Sequence, residues 1–209
     1  MNVPFHTCIG TIDLMVLRPE DLSAQQLGDA LSKINRFGGR SPEPWSVAAH
    51  SVLVEALCPP DLQPYALLHD AHKAFLGDLM DPSVELLCRV GTRTAVENAI
   101  LNAENRIDRA IAAAWGIALR SRSEALLTAC QVAFLAEIWV FMDVLPGPVP
   151  PAQTDLFDRA IGFLYENPNL IGDWRDAREH WLERISFHAS LGHLTPPLDP
   201  NPTSMTQAG

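Results

Sequence analysis

Positive charge is scarce in this chain: 15 Lys and Arg stand against 25 Asp and Glu, a formal net charge of -10. A surface built to neutralise a polynucleotide backbone needs the opposite balance, so no nucleic-acid polymer is expected as partner. A small anionic substrate survives that argument, because a metal ion and a few local Arg or Lys side chains override a distant negative surface. Cysteine is also sparse. Cys8, Cys58, Cys88 and Cys130 are widely scattered without a CxxC pair, and a chain of 209 residues has no need of disulfide staples. Reduced thiols and a cytoplasmic location are expected. The N-terminus, Met1-Asn2-Val3-Pro4-Phe5-His6, lacks a basic segment followed by a long apolar run. No later stretch offers about 18 uncharged apolar residues, so no membrane association is expected either.

What is present suits an all-α fold. With 47% hydrophobic residues the chain can bury one sizeable core, and a single domain over residues 1–194 is expected. Residues 5–17 alternate loosely and are broken by Gly10, which points to a short N-terminal hairpin or extended arm. From Pro19-Glu20-Asp21, apolar positions at Leu22, Leu27, Ala30, Leu31 and Ile34 predict a first helix running to Gly38-Gly39. A second helix carries Val47, Ala48, His50, Val52, Leu53 and Leu57 and stops at Pro59-Pro60. A third, capped by Asp61, places His69 and Asp70 at mid-helix before Gly77, and a loop around Asp78 to Pro82 follows. Further helices are predicted over 94–115, from Ser123 to Met142, and at about 152–166 and 173–191. The tail over 195–209, rich in Pro, Thr, Ser and Asn, is expected to be disordered.

His69 and Asp70 form the strongest chemical signal, because two adjacent metal-competent side chains sit in a segment otherwise committed to apolar packing. An ionised Asp in a core helix needs a cation or several donors, and a neutral imidazole can offer nitrogen to the same ion. A second His from the preceding helix would complete three ligands. The dipeptide by itself fits an ordinary polar contact for His69 and an Asp–Arg ion pair better, since ion pairs are commoner than metal sites.

Three segments widen the context: Leu31-Ser32-Lys33-Ile34-Asn35-Arg36-Phe37-Gly38-Gly39, Trp45-Ser46-Val47-Ala48-Ala49-His50-Ser51, and Tyr65-Ala66-Leu67-Leu68-His69-Asp70-Ala71-His72-Lys73-Ala74-Phe75-Leu76-Gly77-Asp78. In order and spacing they resemble the signature of HD-domain metal-dependent phosphohydrolases related to 5′-deoxynucleotidases and phage dNTP triphosphohydrolases. The resemblance is strong over residues 28–80 and weaker over 94–142. It implies an HD-domain-like helical bundle in which His50, His69 and Asp70 bind a divalent metal ion, Arg36 contacts the substrate phosphate and Asp78 assists catalysis. Phe37 and Gly38 beside Arg36, and Trp45 just ahead of His50, become candidate substrate-binding residues, although Gly38-Gly39 also serves as a plain helix stop.

The chain departs from that signature twice. Lys73 stands where the family has a catalytic Glu, and a lysine there can hold a phosphate, point outward, or mark a relative that binds a nucleotide without hydrolysing it. His72 offers a substitute acid or base. The late aspartate, the family's fourth ligand, aligns with Cys130, with Ala129 before it and Glu137 seven residues on. Cys130 can ligate a metal or act as a small buried hydrophobe, and Glu137 and Gln131 are weaker alternatives. His6, His180, His188, His193 and the tryptophans other than Trp45 read as structural or solvated.

The expected activity is a metal-dependent phosphohydrolase acting on a nucleotide or similar small phosphorylated substrate. The alternative is a degenerate relative serving as a nucleotide-binding or protein-interaction module. His and carboxylate ligands suit Mn, Co, Fe or Zn. Related folds pair through helices, which leaves a homo-oligomer open.

Overall fold

A computed structural model describes residues 2–8, 10–120 and 123–199. The fold is all-α with one short hairpin, in which β1 (Pro4–Thr7) pairs antiparallel with β2 (Gly10–Asp13) and Phe5 faces Ile12. Residues 200–209 of the expected tail lie outside the described residues; 195–199 carry neither helix nor strand.

The first helix is shorter than its apolar pattern predicts. Pro19–Leu22 forms a separate turn in which the Asp21 carboxylate accepts from the Arg18 backbone N–H at 2.9 Å. Extended Ser23 then caps α1 (Ala24–Lys33), which ends well before Gly38. The chain is drawn out of helix at 34–36 because its backbone bonds elsewhere: Arg36 N–H donates to Trp45 O at 2.8 Å and Val47 N–H to Ile34 O at 3.0 Å. This clip anchors Arg36 beside the start of the next helix. Beyond it, Phe37, Gly38 and Gly39 are all left-handed, with φ of 55°, 61° and 70°. Two glycines make that tight reversal possible, and Phe37 is the strained member of the run.

α2 (Val47–Leu57) starts where Ser46 Oγ accepts the Ala49 N–H at 3.1 Å. It is buried on every side, with Ala56 alone half-exposed. Such a helix must provide partners for its polar residues. After it, the structure corrects the expectation of one helix over 61–77. Only α3 (Gln63–Ala66) and α4 (Lys73–Leu76) are helical, Asp61 caps neither, and His69 and Asp70 lie in the turns between them. The backbone there closes three-residue loops, Leu68 N–H to Tyr65 O at 2.9 Å, Ala71 N–H to Leu68 O at 3.0 Å and Lys73 N–H to Asp70 O at 3.0 Å. That tighter winding eclipses side chains three apart and brings Asp70 and Lys73 onto one side. Gly77, at φ 75°, ends α4.

An additional helix, α5 (Asp81–Val90), was not foreseen from the sequence; Pro82 occupies its first turn. Then come α6 (Arg93–Trp115), closed by left-handed Gly116, α7 (Glu124–Met142), α8 (Thr154–Glu166) and α9 (Trp174–Ser190), whose Asp173 cap accepts from Arg175 N–H at 2.8 Å. α9 packs on α1 and α2, α7 on α2 and α8, and α5 on α6. One buried apolar cluster draws residues from Leu22 to Leu194. Two of its three buried indoles reach backbone carbonyls: Trp181 Nε1 donates to Leu67 O at 3.0 Å and Trp115 Nε1 to Leu22 O at 2.9 Å.

By length and composition α7 is long and apolar enough to cross a membrane, although, as expected, its apolar run is not free of charge. Glu137 is the sole charge in its apolar run. One side of the helix, including Leu126, Ala129, Val132, Ala133, Ala136 and Glu137, is buried in the fold.

Glu55, the other large polar residue buried in α2 besides His50, is held by α9. Arg184 donates to it from Nε at 3.1 Å and Nη2 at 2.7 Å, and His188 Nε2 lies 2.9 Å away. Glu55→Ala leaves His188 buried without its carboxylate, while half-exposed Arg184 can turn to water. A loss of about 2 kcal/mol is expected in urea unfolding, in the range for a charged hydrogen bond.

Candidate functional site

The site is built outward from Glu137. Its side chain has no solvent exposure, yet it accepts from three donors: His50 Nδ1 at 2.5 Å on Oε1, and Arg36 Nε and Nη2, both at 3.0 Å, on Oε2. Burial opposes the charge, but Arg36 and then His50 outweigh it and hold the carboxyl down at about 2, with the Trp45 indole assisting. Burial, reinforced by the Arg36 cation, lowers His50 to about 4 against the pull of Glu137 and Asp70. His50 is therefore a neutral imidazole with Nδ1–H on Glu137 and the Nε2 lone pair free.

That lone pair meets two other groups. His50 Nε2 lies 3.7 Å from Asp70 Oδ2, and His69 Nε2 lies 3.5 Å from the same oxygen. His69 Nδ1–H donates to Ala66 O at 2.6 Å, which fixes its ring with Nε2 inward. Burial works against a charged His69, but Asp70 and Cys130 outweigh it and raise the imidazole to about 9. Asp70 in turn is held well below the ordinary carboxylate range: burial is outweighed by His69, Lys73, His50 and Arg36.

The donor set fits a divalent metal ion. One ligand atom from each of His50, His69 and Asp70 lies within 4.8 Å of the other two. The two nitrogen–oxygen separations are close to the roughly 3.4 Å expected of neighbouring donors around a four-coordinate ion. Each imidazole also spends its other nitrogen on a fixed acceptor, the arrangement that orients metal ligands.

A cavity of about 670 Å³ opens beside this cluster, lined by Arg36, Phe37, Arg40, Lys73, Asp78, Met80 and Phe134 among others. Phe37 and Phe134 set their rings 6.1 Å apart, and the Arg36 guanidinium lies 5.4 Å from the Phe37 ring. Lys73 joins the cluster to the cavity: Nζ is 2.8 Å from Asp70 Oδ2 and 2.7 Å from Asp78 Oδ1.

Several expected residues take different places. Trp45 does not line the cavity; it is fully buried, its ring tilted against Phe141 at 5.2 Å between centroids, because the 34–36 clip pulls it under the site. Gly38 is a turn former, since a Cβ there would meet Met80 Cε at 2.9 Å and Arg40 Nη1 at 2.7 Å. His72 faces α6, with Nδ1 3.0 Å from Asp108 Oδ1 and Nε2 3.9 Å from Glu104 Oε1, which removes it from the metal-facing side. Cys130 helps to raise the His69 imidazole but stands outside the three-atom set. The fourth-ligand alternative at Glu137 is likewise overturned, because both its oxygens are committed to His50 and Arg36. Arg40, Glu104 and Asp108 went unnoticed; a pair of acids one turn apart in an Ala-rich helix was the signal for the last two.

No family model matches the chain. The Uncharacterized protein YfdR of Escherichia coli (strain K12) is 35% identical over 71 residues, a match covering 34% of this chain and 40% of that protein.

Because the folded pKa of Glu137 is depressed below its unfolded value, its stabilisation is complete above about pH 4.5 and is lost as pH falls toward 2. Glu137→Gln is therefore expected to be less stable than wild type by about 3 kcal/mol at neutral pH, and urea midpoints taken from pH 7 to pH 3 should show that gap narrowing below pH 4.5.

Proposed function

We propose that this chain is a metal-dependent phosphohydrolase acting on a nucleotide or similar small phosphorylated substrate, related to the HD-domain enzymes its signature resembles. One observation carries the reading: two oriented imidazoles and a carboxylate converge next to a cavity into which a clamped arginine faces. Mn, Co, Fe or Zn would suit His50, His69 and Asp70. An ion bound there would polarise a phosphoryl oxygen and lower the pKa of a water.

The chain's own side chains supply the rest. Arg36 is locked to Glu137 through Nε and Nη2, leaving Nη1, 4.0 Å from Asp70 Oδ2, as the donor nearest the metal cluster for a phosphate oxygen. Phe37 and Phe134 give an apolar wall suited to the flat face of a base. Asp78, on the cavity edge, is the carboxylate placed to take up a proton. Free thiols at Cys8, Cys58, Cys88 and Cys130 and the negative net charge fit a cytoplasmic protein with a small-molecule partner. A second reading, a relative that binds a nucleotide without cleaving it, draws on the ion pair that already engages Asp78 with Lys73.

Elemental mass spectrometry on wild type and His69→Ala, with phosphate release from a nucleotide panel in Mn²⁺, Co²⁺ or Zn²⁺, tests the proposal. Near-stoichiometric metal in wild type, absent from His69→Ala, and metal-dependent release are expected. Metal without turnover supports the binding relative, and a metal-free protein that stays metal-free on reconstitution rejects the site. Asp78→Asn should keep its metal and lose about 100-fold or more in kcat. Arg36→Lys, which cannot hold Glu137 and still present a separate N–H to the phosphate, should raise KM for the phosphorylated substrate.

A further inference from the structure

Asp70 Oδ2 is claimed twice. Both imidazole Nε2 atoms converge on it, at 3.7 and 3.5 Å, and the Lys73 ammonium already sits 2.8 Å from it. A divalent ion bound to that oxygen at about 2.1 Å would stand no more than roughly 5 Å from an ammonium left in place. Two positive charges that close repel, so the ion and the ammonium compete for the oxygen. The lysine has somewhere else to go. Its other partner, Asp78, lies on the cavity edge, Lys73 itself lines that cavity, and Arg36 and Arg40 line it too. A four-carbon stem can make that swing by side-chain rotation alone.

We propose that Lys73 is a tethered counter-ion that competes with the divalent metal for Asp70 and, once displaced, turns into the cavity to hold the phosphate group of the ligand. The inference rests on the metal-site reading. In the metal-free protein the ammonium neutralises Asp70 and Asp78 together and keeps the cluster compact. Metal arrival frees it, and the cavity gains a mobile cation beside Arg36. Metal and phosphate binding are thereby coupled, each tightening the other by the same factor.

The chain has two lysines, Lys33 and Lys73, so amine labelling reads the switch in the wild-type protein. Lys33, over the Trp174 ring at 4.4 Å, is the internal control. With an N-hydroxysuccinimide acetate reagent and peptide mass spectrometry, Lys73 should be protected without metal, reactive in Mn²⁺, and protected again when inorganic phosphate is added. In calorimetry, Lys73→Gln and Lys73→Met should bind Mn²⁺ about tenfold more tightly than wild type, and their Mn²⁺-loaded forms should bind inorganic phosphate about tenfold more weakly. A merely structural lysine would not tighten the metal. Lys73 labelling that ignores Mn²⁺ while His69→Ala still abolishes Mn²⁺ binding overturns the proposal and leaves the metal site standing. Failure of wild type and both variants to bind Mn²⁺ at all removes the metal reading and this inference together.

Discussion

A carboxylate shut away from water organises this protein. Glu137 sits on the buried side of α7 and makes no sense there unless every lone pair facing the core is answered. His50 and Arg36 answer it, one from α2 and one from the 34–36 clip. The same three contacts orient a neutral imidazole toward Asp70 and lock a guanidinium at the cavity wall. Stability and site geometry therefore depend on one ion.

The surrounding fold explains why such an ion can be kept. α2 is buried all round, and its two large polar residues are each met by a different helix: His50 by α7, Glu55 by α9. Removing water from these pairs strengthens each interaction and raises the cost of leaving one unmet. The result is a rigid inner wall. The opposite wall, made of turns 67–72 and the loop after Gly77, is wound more tightly than an α-helix and presents His69, Asp70, Lys73 and Asp78 from a short stretch of chain.

The apolar periodicity was a sound guide wherever a helix is long or cleanly capped. α2, α6, α7, α8 and α9 fall close to where apolar spacing, Pro59-Pro60, Ser123, Asp173 and Gly116 place them. It misled where backbone hydrogen bonds of a different kind compete. Ile34 and Arg36 look helical in pattern but bond to Trp45 and Val47, and residues 67–72 keep a helical pattern while closing three-residue turns. α5 escaped notice because Asp81 and Pro82, which occupy its first turn, also read as the end of the loop after Gly77. The convergence of His50, His69 and Asp70 was readable, since two metal-competent residues in an apolar stretch demand a partner. The placement of His72, Trp45 and Cys130 was not, because a side chain's direction depends on neighbours that come from α6 and α7.

From the sequence alone came the all-α class, the positions of the long helices, the excess of negative charge and the identity of three residues able to share a cation. These are local properties, set by residue type and spacing. The tertiary structure alone decided that Glu137 is spent on His50 and Arg36, that Lys73 bridges Asp70 and Asp78, and that Arg36 faces both the buried carboxylate and the cavity. Each of those roles depends on distances between groups far apart in the chain, and Coulomb and hydrogen-bond energies are set by such distances, which no local pattern encodes.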